Sequence, residues 1–434
     1  MSLMKVAIIA DDITGANDSG VQLAKSGLKT AVWLNNEQVT NEPLEAVVID
    51  TDSRAMSQDD AKEAIKSSMD VLATYQPELL FKKVDSTLRG NVGAELYAMI
   101  QADKPDYVLL TPSFPESKRT VDKGILYVDG TAIGETEFAL NEADPVKDSR
   151  IADHVGRQFK GQLLEVPEEL WTKAHEKITT WLRQQQTEKG CVFICDATSS
   201  HTLKAIAEFA QTSQDHILLA GSAGLSSALE IKSSGVKRQV ERKDPTLPIL
   251  YLVGSMSDIS RKQVQQLLKQ ESAVGIKIDA LKAVNEDEFV RASEFERVSK
   301  EAHSILEEQK IPVIFSGTER HEIDAVYAYA EEQKIALSII SQRIVSLLAA
   351  VGENLTLSHS FQAIVMTGGD TAKALCKRVS VSQLDLIDEF ETGIPISIFT
   401  GSLAGTYAIT KAGAFGTEFT FSNIYQFFME GTTK

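Results

Sequence analysis

The chain holds few cysteines, and Cys191, Cys195 and Cys376 form no Cys-x-x-Cys pair. That excludes a disulfide framework and suits buried thiols in a reducing cytoplasm, which is the expected location. No apolar run approaches the roughly 20 residues of a membrane span. Ala10-Asp11-Asp12 interrupts the first apolar run, so it does not read as a signal peptide. Met1-Ser2-Leu3 ahead of Met4 reads as an artificial extension. Positive charge is in deficit, 44 Lys and Arg against 61 Asp and Glu, for a net charge of −17. This weighs against nucleic acid or an acidic membrane as partner, though not against a small anion bound in a locally basic cleft.

Several signatures are missing as well. There is no Gly-x-x-x-x-Gly-Lys-Ser/Thr, which excludes an ordinary P-loop enzyme. There is no Gly-x-Gly-x-x-Gly after the first apolar run and no Gly-x-Ser-x-Gly elbow, which weighs against a dinucleotide dehydrogenase and a serine hydrolase. The seven histidines lack metal-ligand spacing. His201, His216, His321 and His359 read as isolated surface or cap residues, and no metal ligands are assigned. No repeat or low-complexity tract is present.

What is there is an alternation of short apolar runs with helical patterns. At 434 residues, two domains are the default. Strands are expected at Lys5–Ile9, Thr30–Leu34, Ala46–Ile49, Leu79–Lys83, Tyr107–Leu110, Val192–Cys195 and Ile217–Ala220. Ser57 with Asp60 predicts a capped helix, a further helix is expected near Glu168–Gln186, and a hairpin is expected around Leu126–Gly130. Residues 232–246 are polar and lack an apolar period, so they read as a linker. A second alternation follows, with strands at Ile249–Val253, Val313–Phe315, Ala363–Met366, Ile396–Phe399 and Tyr407–Thr410. The fold class is α/β: two domains, 4–231 and 247–434, each a mostly parallel sheet flanked by helices, with a cleft between them.

Ligands of open parallel sheets bind at the carboxyl ends of strands, so polar clusters just after strands matter most. Three follow strands of the first domain: Asp11-Asp12-Ile13-Thr14-Gly15, Asp50-Thr51-Asp52-Ser53-Arg54 and Lys82-Lys83-Val84-Asp85-Ser86-Thr87-Leu88-Arg89-Gly90-Asn91. The last offers cations for a carboxylate and partners for hydroxyls, as a small polyhydroxy acid needs. A solvated capping loop would look the same. Asp11 and Asp12 could hold magnesium or accept a proton, or simply complement a helix dipole. The second domain offers three glycine turns suited to phosphate: Gly254-Ser255-Met256-Ser257, Thr367-Gly368-Gly369-Asp370-Thr371-Ala372 and Thr410-Lys411-Ala412-Gly413-Ala414-Phe415-Gly416. One alone reads equally as a plain strand-to-helix turn.

Taken in order, these motifs resemble the four-carbon acid sugar kinase family, and the resemblance runs the length of the chain. Asp52–Met56 and Glu135–Ala139 favour the branch that takes D-threonate. Ala414 stands where a glycine is common, and no glycine precedes Arg119.

The resemblance implies an enzyme that uses ATP and Mg2+ to phosphorylate the terminal hydroxyl of a four-carbon sugar acid. The sugar acid is expected in the N-terminal domain and ATP in the C-terminal one, with 232–246 as hinge. Lys83 and Arg89 would bind the substrate carboxylate, and Asp85 and Ser86 its hydroxyls, with Thr14 and Thr87 beside them. Asp12, or next Asp11, would deprotonate the attacking hydroxyl. Ser255, Gly368, Gly369, Thr371 and Gly413 would hold the nucleotide, and Asp370 beside the phosphate reads as either magnesium partner or base. D-erythronate or 3-oxo-tetronate as substrate, and a non-catalytic binding protein, are the alternatives. A homo-oligomer is left open.

Overall fold

The computed structural model describes residues 4–34, 43–140, 144–231, 233, 238–241, 244–255, 257–317 and 320–431. Met1–Leu3, Met256, and residues 232, 234–237, 242 and 243 of the expected linker therefore lie outside the described residues. The chain divides into two compact units, with the boundary between residues 237 and 238.

Among the described residues the first unit is built on eight strands: β1 (Val6–Ala10), β2 (Thr30–Trp33), β3 (Ala46–Asp50), β4 (Leu79–Lys83), β5 (Tyr107–Thr111), β9 (Leu163–Val166), β10 (Cys191–Cys195) and β11 (Ile217–Gly221). Three short strands, β6 (Arg119–Asp122), β7 (Ile125–Val128) and β8 (Thr131–Ala132), form a separate antiparallel sheet that includes the expected hairpin. The main sheet runs β2-β3-β1-β4-β11-β5-β10-β9, and its pairings are parallel. Strands such as Val6–Ala10 are buried throughout, which is why they read as unbroken apolar runs rather than alternating ones. Ile9, Val47, Leu110 and Ile194 belong to one core.

The second unit carries β12 (Ile249–Val253), β13 (Ala273–Lys277), β14 (Ile311–Phe315), β15 (Ala363–Thr367), β16 (Gln383–Glu389), β17 (Pro395–Phe399) and β18 (Tyr407–Lys411). Its order is β13-β14-β12-β15-β18-β17-β16. β17 pairs antiparallel with both β16 and β18, and the other pairings are parallel. Tyr251, Val313, Val365 and Ile409 share its core.

One expectation needs correction. The helix expected near Glu168–Gln186 is two pieces, a 3-10 turn Glu168–Thr172 and an α-helix His175–Gln185. Lys173 and Ala174 between them are extended, and the turn faces Leu170 and Trp171 inward. The capping signal is met: Ser57 Oγ accepts the Asp60 N–H at 3.2 Å at the head of the helix Gln58–Leu72.

Register decides where the polar clusters meet. Ala10 stands level with Asp50 on one side and with Lys83 on the other, so β3, β1 and β4 end at one height. Likewise Val253, Thr367 and Lys411 end β12, β15 and β18 level. In both units the chain lays strands on one side of the first strand and then crosses to the other, which makes that point a topological switch.

One buried ion pair braces the first of these edges. Lys82 Nζ lies 2.9 Å from Glu95 Oε2 of the helix Val92–Asp103, both side chains being essentially inaccessible. The ammonium also donates to the carbonyls of Ile9 and Lys83, so strands and helix are tied together. Removing one partner of such a pair strands the other charge. Glu95→Ala is therefore expected to cost about 3–5 kcal/mol in urea unfolding, and Lys82→Met with Glu95→Leu to restore most of it. A loss under about 1 kcal/mol for Glu95→Ala, the range of a surface pair, would show that this pair does not brace the edge.

Candidate functional site

The three loops at the β3-β1-β4 edge converge on one guanidinium. Arg54 Nε donates to Asp11 Oδ2 at 2.7 Å and Nη2 to Asp11 Oδ1 at 3.0 Å, a two-pronged grip. Its Nη1 lies 2.8 Å from Asp12 Oδ2, and Nη2 lies 4.0 Å from Asp85 Oδ1. Arg89 holds Asp85 in the same two-pronged way, at 2.8 and 3.1 Å, and Thr87 Oγ1 donates to the same carboxylate. Asp12 caps the helix Ile13–Lys25 by accepting the Gly15 N–H at 2.8 Å.

Burial and pairing compete at these groups. Burial pushes the Asp11 and Asp85 carboxyls up, yet the facing guanidinium groups, Arg54 for Asp11 and Arg89 with Arg54 for Asp85, hold both below the usual carboxylate range. Arg54 is displaced the opposite way: burial lowers its pKa, and Asp11 and Asp12 outweigh that. Asp12 keeps 22% of its side chain exposed against 2% for Asp11, so Asp12 is the accessible carboxylate of the pair. Lys83 Nζ donates to the Val84 carbonyl at 2.9 Å and, among the described residues, pairs with no carboxylate. It sits beside the Asp12 cap, since a Cβ on Gly15 would lie 2.8 Å from Asp12 Oδ1 and 3.1 Å from Lys83 Nζ. Thr14 and Ser86 are half-buried in the same two loops.

Sequence reasoning assigned no role to Arg54, although its cluster was visible after a strand. It also missed what positions it: Ser53 Oγ donates to Glu95, and Asn91 Nδ2 donates to the Ser53 and Met56 carbonyls at 2.9 Å. The loop that carries Arg54 thus hangs on the buried Lys82–Glu95 pair.

The β12-β15-β18 edge is of another kind. Gly368 adopts φ +88°, a left-handed conformation that suits glycine, and opens the helix Gly369–Arg378 with no side-chain cap. Its first N–H groups are thereby left for a ligand. The three glycine turns come together: Gly368 N–H donates to the Lys411 carbonyl at 2.8 Å, and Ser255 N–H to Thr367 Oγ1 at 3.1 Å. A Cβ on Gly413 would stand 2.4 Å from Ser255 Oγ, so a side chain there would displace the Ser255 hydroxyl.

Ser255, Gly368, Asp370, Thr371 and Gly413 line one wall of a cavity of about 280 Å³. Much of the remaining lining is apolar, with Ile323, Val326, Tyr327, Leu337 and Ile340 beside Glu322 and Ser341, from two helices that showed no functional signal in the sequence. Asp370 is exposed, and Gly369 is the first residue of the uncapped helix.

Two histidines read as isolated are partnered. His359 Nε2 lies 3.0 Å from His303 Nδ1, and His216 Nε2 lies 3.0 Å from Asp103. Among the described residues no three His, Cys, Asp or Glu side chains converge as a metal cage, and no helix is long and apolar enough to cross a membrane.

Comparison with known proteins bears on both edges. Residues 6–229 match the family model of a sugar-binding N-terminal domain, and residues 250–421 that of a nucleotide-binding C-terminal domain. The chain is 31% identical to a D-threonate kinase of Salmonella typhimurium over 419 residues, 96% of each chain. It is 28% identical to a D-erythronate kinase of Heliobacterium modesticaldum, covering 95% of this chain and 94% of the other. It is 24% identical to a 3-oxo-tetronate kinase of Actinobacillus succinogenes, covering 96% and 97%. Solved structures from Salmonella typhimurium LT2 and Haemophilus influenzae share the fold, with TM-scores of 0.79 and 0.75 at 21% and 20% identity. Each comparison covers 97% of this chain, with 99% and 100% of the solved chains.

The charge balance around Arg54 sets an acid limit on stability. Asp11 and Asp85 have depressed pKa values, so their stabilisation is present above the unfolded carboxylate pKa of about 4 and is lost as pH falls through the folded value. Arg54→Met raises both folded values, so acid unfolding followed by circular dichroism is expected to begin on the order of one pH unit higher. An unchanged acid midpoint would mean that Arg54 is not what keeps these carboxylates ionised.

Proposed function

The chain belongs to the four-carbon acid sugar kinase family, and from that premise we propose that it transfers the γ-phosphoryl group of ATP to the 4-hydroxyl of D-threonate. The enzyme class is a carbohydrate kinase, as its named relatives are. The substrate D-threonate is favoured over D-erythronate and 3-oxo-tetronate by the Asp52–Met56 and Glu135–Ala139 stretches and by the 31% relative. The observation that carries the reading is the cavity where an uncapped helix start meets an apolar wall. A nucleotide has that polarity: phosphates for the free N–H groups and a flat apolar base for the other side.

In this reading residues 4–231 hold the sugar acid, 247–434 hold the nucleotide, and 232–246 join them. Lys83 binds the substrate carboxylate, because among the described residues its ammonium forms no ion pair and donates to the Val84 carbonyl. Arg89 steers Asp85 toward the substrate hydroxyls through its two-pronged grip, with Ser86, Thr87 and Thr14 in the same loops. Arg54 keeps Asp11 ionised and orients Asp12. Asp12 accepts the proton of the attacking hydroxyl. Phosphoryl transfer needs little covalent help beyond this; it needs in-line placement and neutralised charge. Gly368, Gly369, Thr371, Ser255 and Gly413 place the phosphates. Mg2+ keeps waters and phosphate oxygens and takes one or two carboxylates, so an ion that travels on the nucleotide needs no protein cage. Asp370, exposed in the cavity wall, would be that carboxylate, and the ion would neutralise the phosphate oxygens.

The test is ADP release with ATP and Mg2+ across D- and L-threonate, D- and L-erythronate and 3-oxo-tetronate. D-Threonate is expected to give the highest kcat/KM, and silence across the panel would sink the reading. Asp12→Asn is expected to lower kcat by about 10²–10⁴ with little change in either KM. Asp370→Asn is expected to raise the KM for ATP instead; a collapse of kcat there, with Asp12→Asn active, would transfer the base to Asp370.

A further inference from the structure

We propose that Lys411 is the positioning residue that couples nucleotide phosphate binding to the turn at Gly413, an inference that rests on the nucleotide reading above. Lys411 ends β18 and is 3% exposed. Its Nζ donates to the carbonyls of Gly413 at 2.8 Å and Ala412 at 3.0 Å and to Ser260 Oγ at 3.2 Å, all neutral acceptors. The Phe421 ring lies 5.9 Å from the same atom. Glu391 is the charged group whose field reaches it, and that carboxylate is engaged by Thr420 Oγ1 at 2.7 Å.

A buried ammonium with neutral partners is short of a counter-ion. Burial lowers the Lys411 pKa to about 8, Glu391 pulling weakly the other way. The missing charge has an obvious direction of approach. Gly413 lines the cavity, and its carbonyl gathers three donors: Lys411 Nζ, Ser257 Oγ at 2.6 Å and Ser260 Oγ at 3.0 Å. In a trans peptide the N–H of Ala414 points opposite to that carbonyl. Lys411 thus fixes the orientation of one peptide in the cavity turn and places a positive charge directly behind it. A polyphosphate would complete the charge balance, whereas an uncharged nucleoside would not feel it.

The experiment measures binding of adenosine, AMP, ADP and ATP by titration calorimetry to wild type, Lys411→Met, Lys411→Gln, Lys411→Arg and Ser257→Ala. Lys411→Met is expected to bind adenosine as wild type does and to lose ATP and ADP affinity by about ten- to a hundredfold. Lys411→Gln, which keeps a donor for Gly413 without the charge, should show the same phosphate-dependent loss and serves if the Met variant does not fold. Lys411→Arg should keep most ATP affinity, and Ser257→Ala should lose far less than Lys411→Met. Equal ATP affinity in wild type and the uncharged variants overturns the inference while leaving the nucleotide reading intact. A uniform loss of adenosine and ATP alike makes Lys411 merely structural and overturns it too. A wild-type chain that binds none of the four overturns the nucleotide reading and this inference together.

Discussion

A parallel strand hands the loop after it to one edge of the sheet, and both units of this protein depend on that constraint. Levelling of the strand ends then decides which loops can touch. Ala10 stands beside both Asp50 and Lys83, so residues as distant in sequence as Asp11, Arg54 and Asp85 come within reach of one another. Val253, Thr367 and Lys411 end level in the same way, and three glycine turns meet as a consequence. The two edges share a geometry and differ in what they carry.

The edge of the first unit is rich in ionised groups that largely satisfy one another. Arg54 answers Asp11 and Asp12, Arg89 answers Asp85, and Lys82 answers Glu95. Such a lattice is rigid and close to neutral, which suits a small substrate of single charge whose hydroxyls need precise partners. The edge of the second unit relies on backbone N–H groups and an ammonium that, among the described residues, forms no ion pair, which suits a polyanion. A kinase of this family needs both chemistries, and phosphoryl transfer works largely through position and charge.

Much of this was legible in the sequence, for identifiable reasons. Fully buried parallel strands leave unbroken apolar runs, so the polar cluster after each stands out; Asp11, Asp12, Lys83, Asp85 and Arg89 were found that way. Strands that escaped notice, β6, β9, β13 and β16, are partly exposed and lack such a run. Arg54 was visible as a residue but not as a hub, because strand order is not written in any local pattern. Only the placement of β3 against β1 brings it to Asp11. The apolar wall of the cavity was invisible for a different reason. Ile323, Val326, Leu337 and Ile340 are what any amphipathic helix presents to a core, and nothing local tells a core stripe from a ligand wall.

Lys82 and Lys411 make the physical distinction sharpest. Both lie at the carboxyl ends of parallel strands, both are buried, and both donate to backbone carbonyls at their own strand ends. Lys82 has Glu95 at 2.9 Å, and the pair is closed: the charge is answered inside the fold. Among the described residues Lys411 has only neutral acceptors, with Glu391 acting on it from a distance, so the fold bears most of the cost of a charge near a cavity. Folding alone gains nothing from that arrangement, since a well-packed apolar side chain would serve stability at least as well. On the nucleotide reading the phosphates would answer this charge from outside, and the open helix start and the glycine turns at this edge suit an anion.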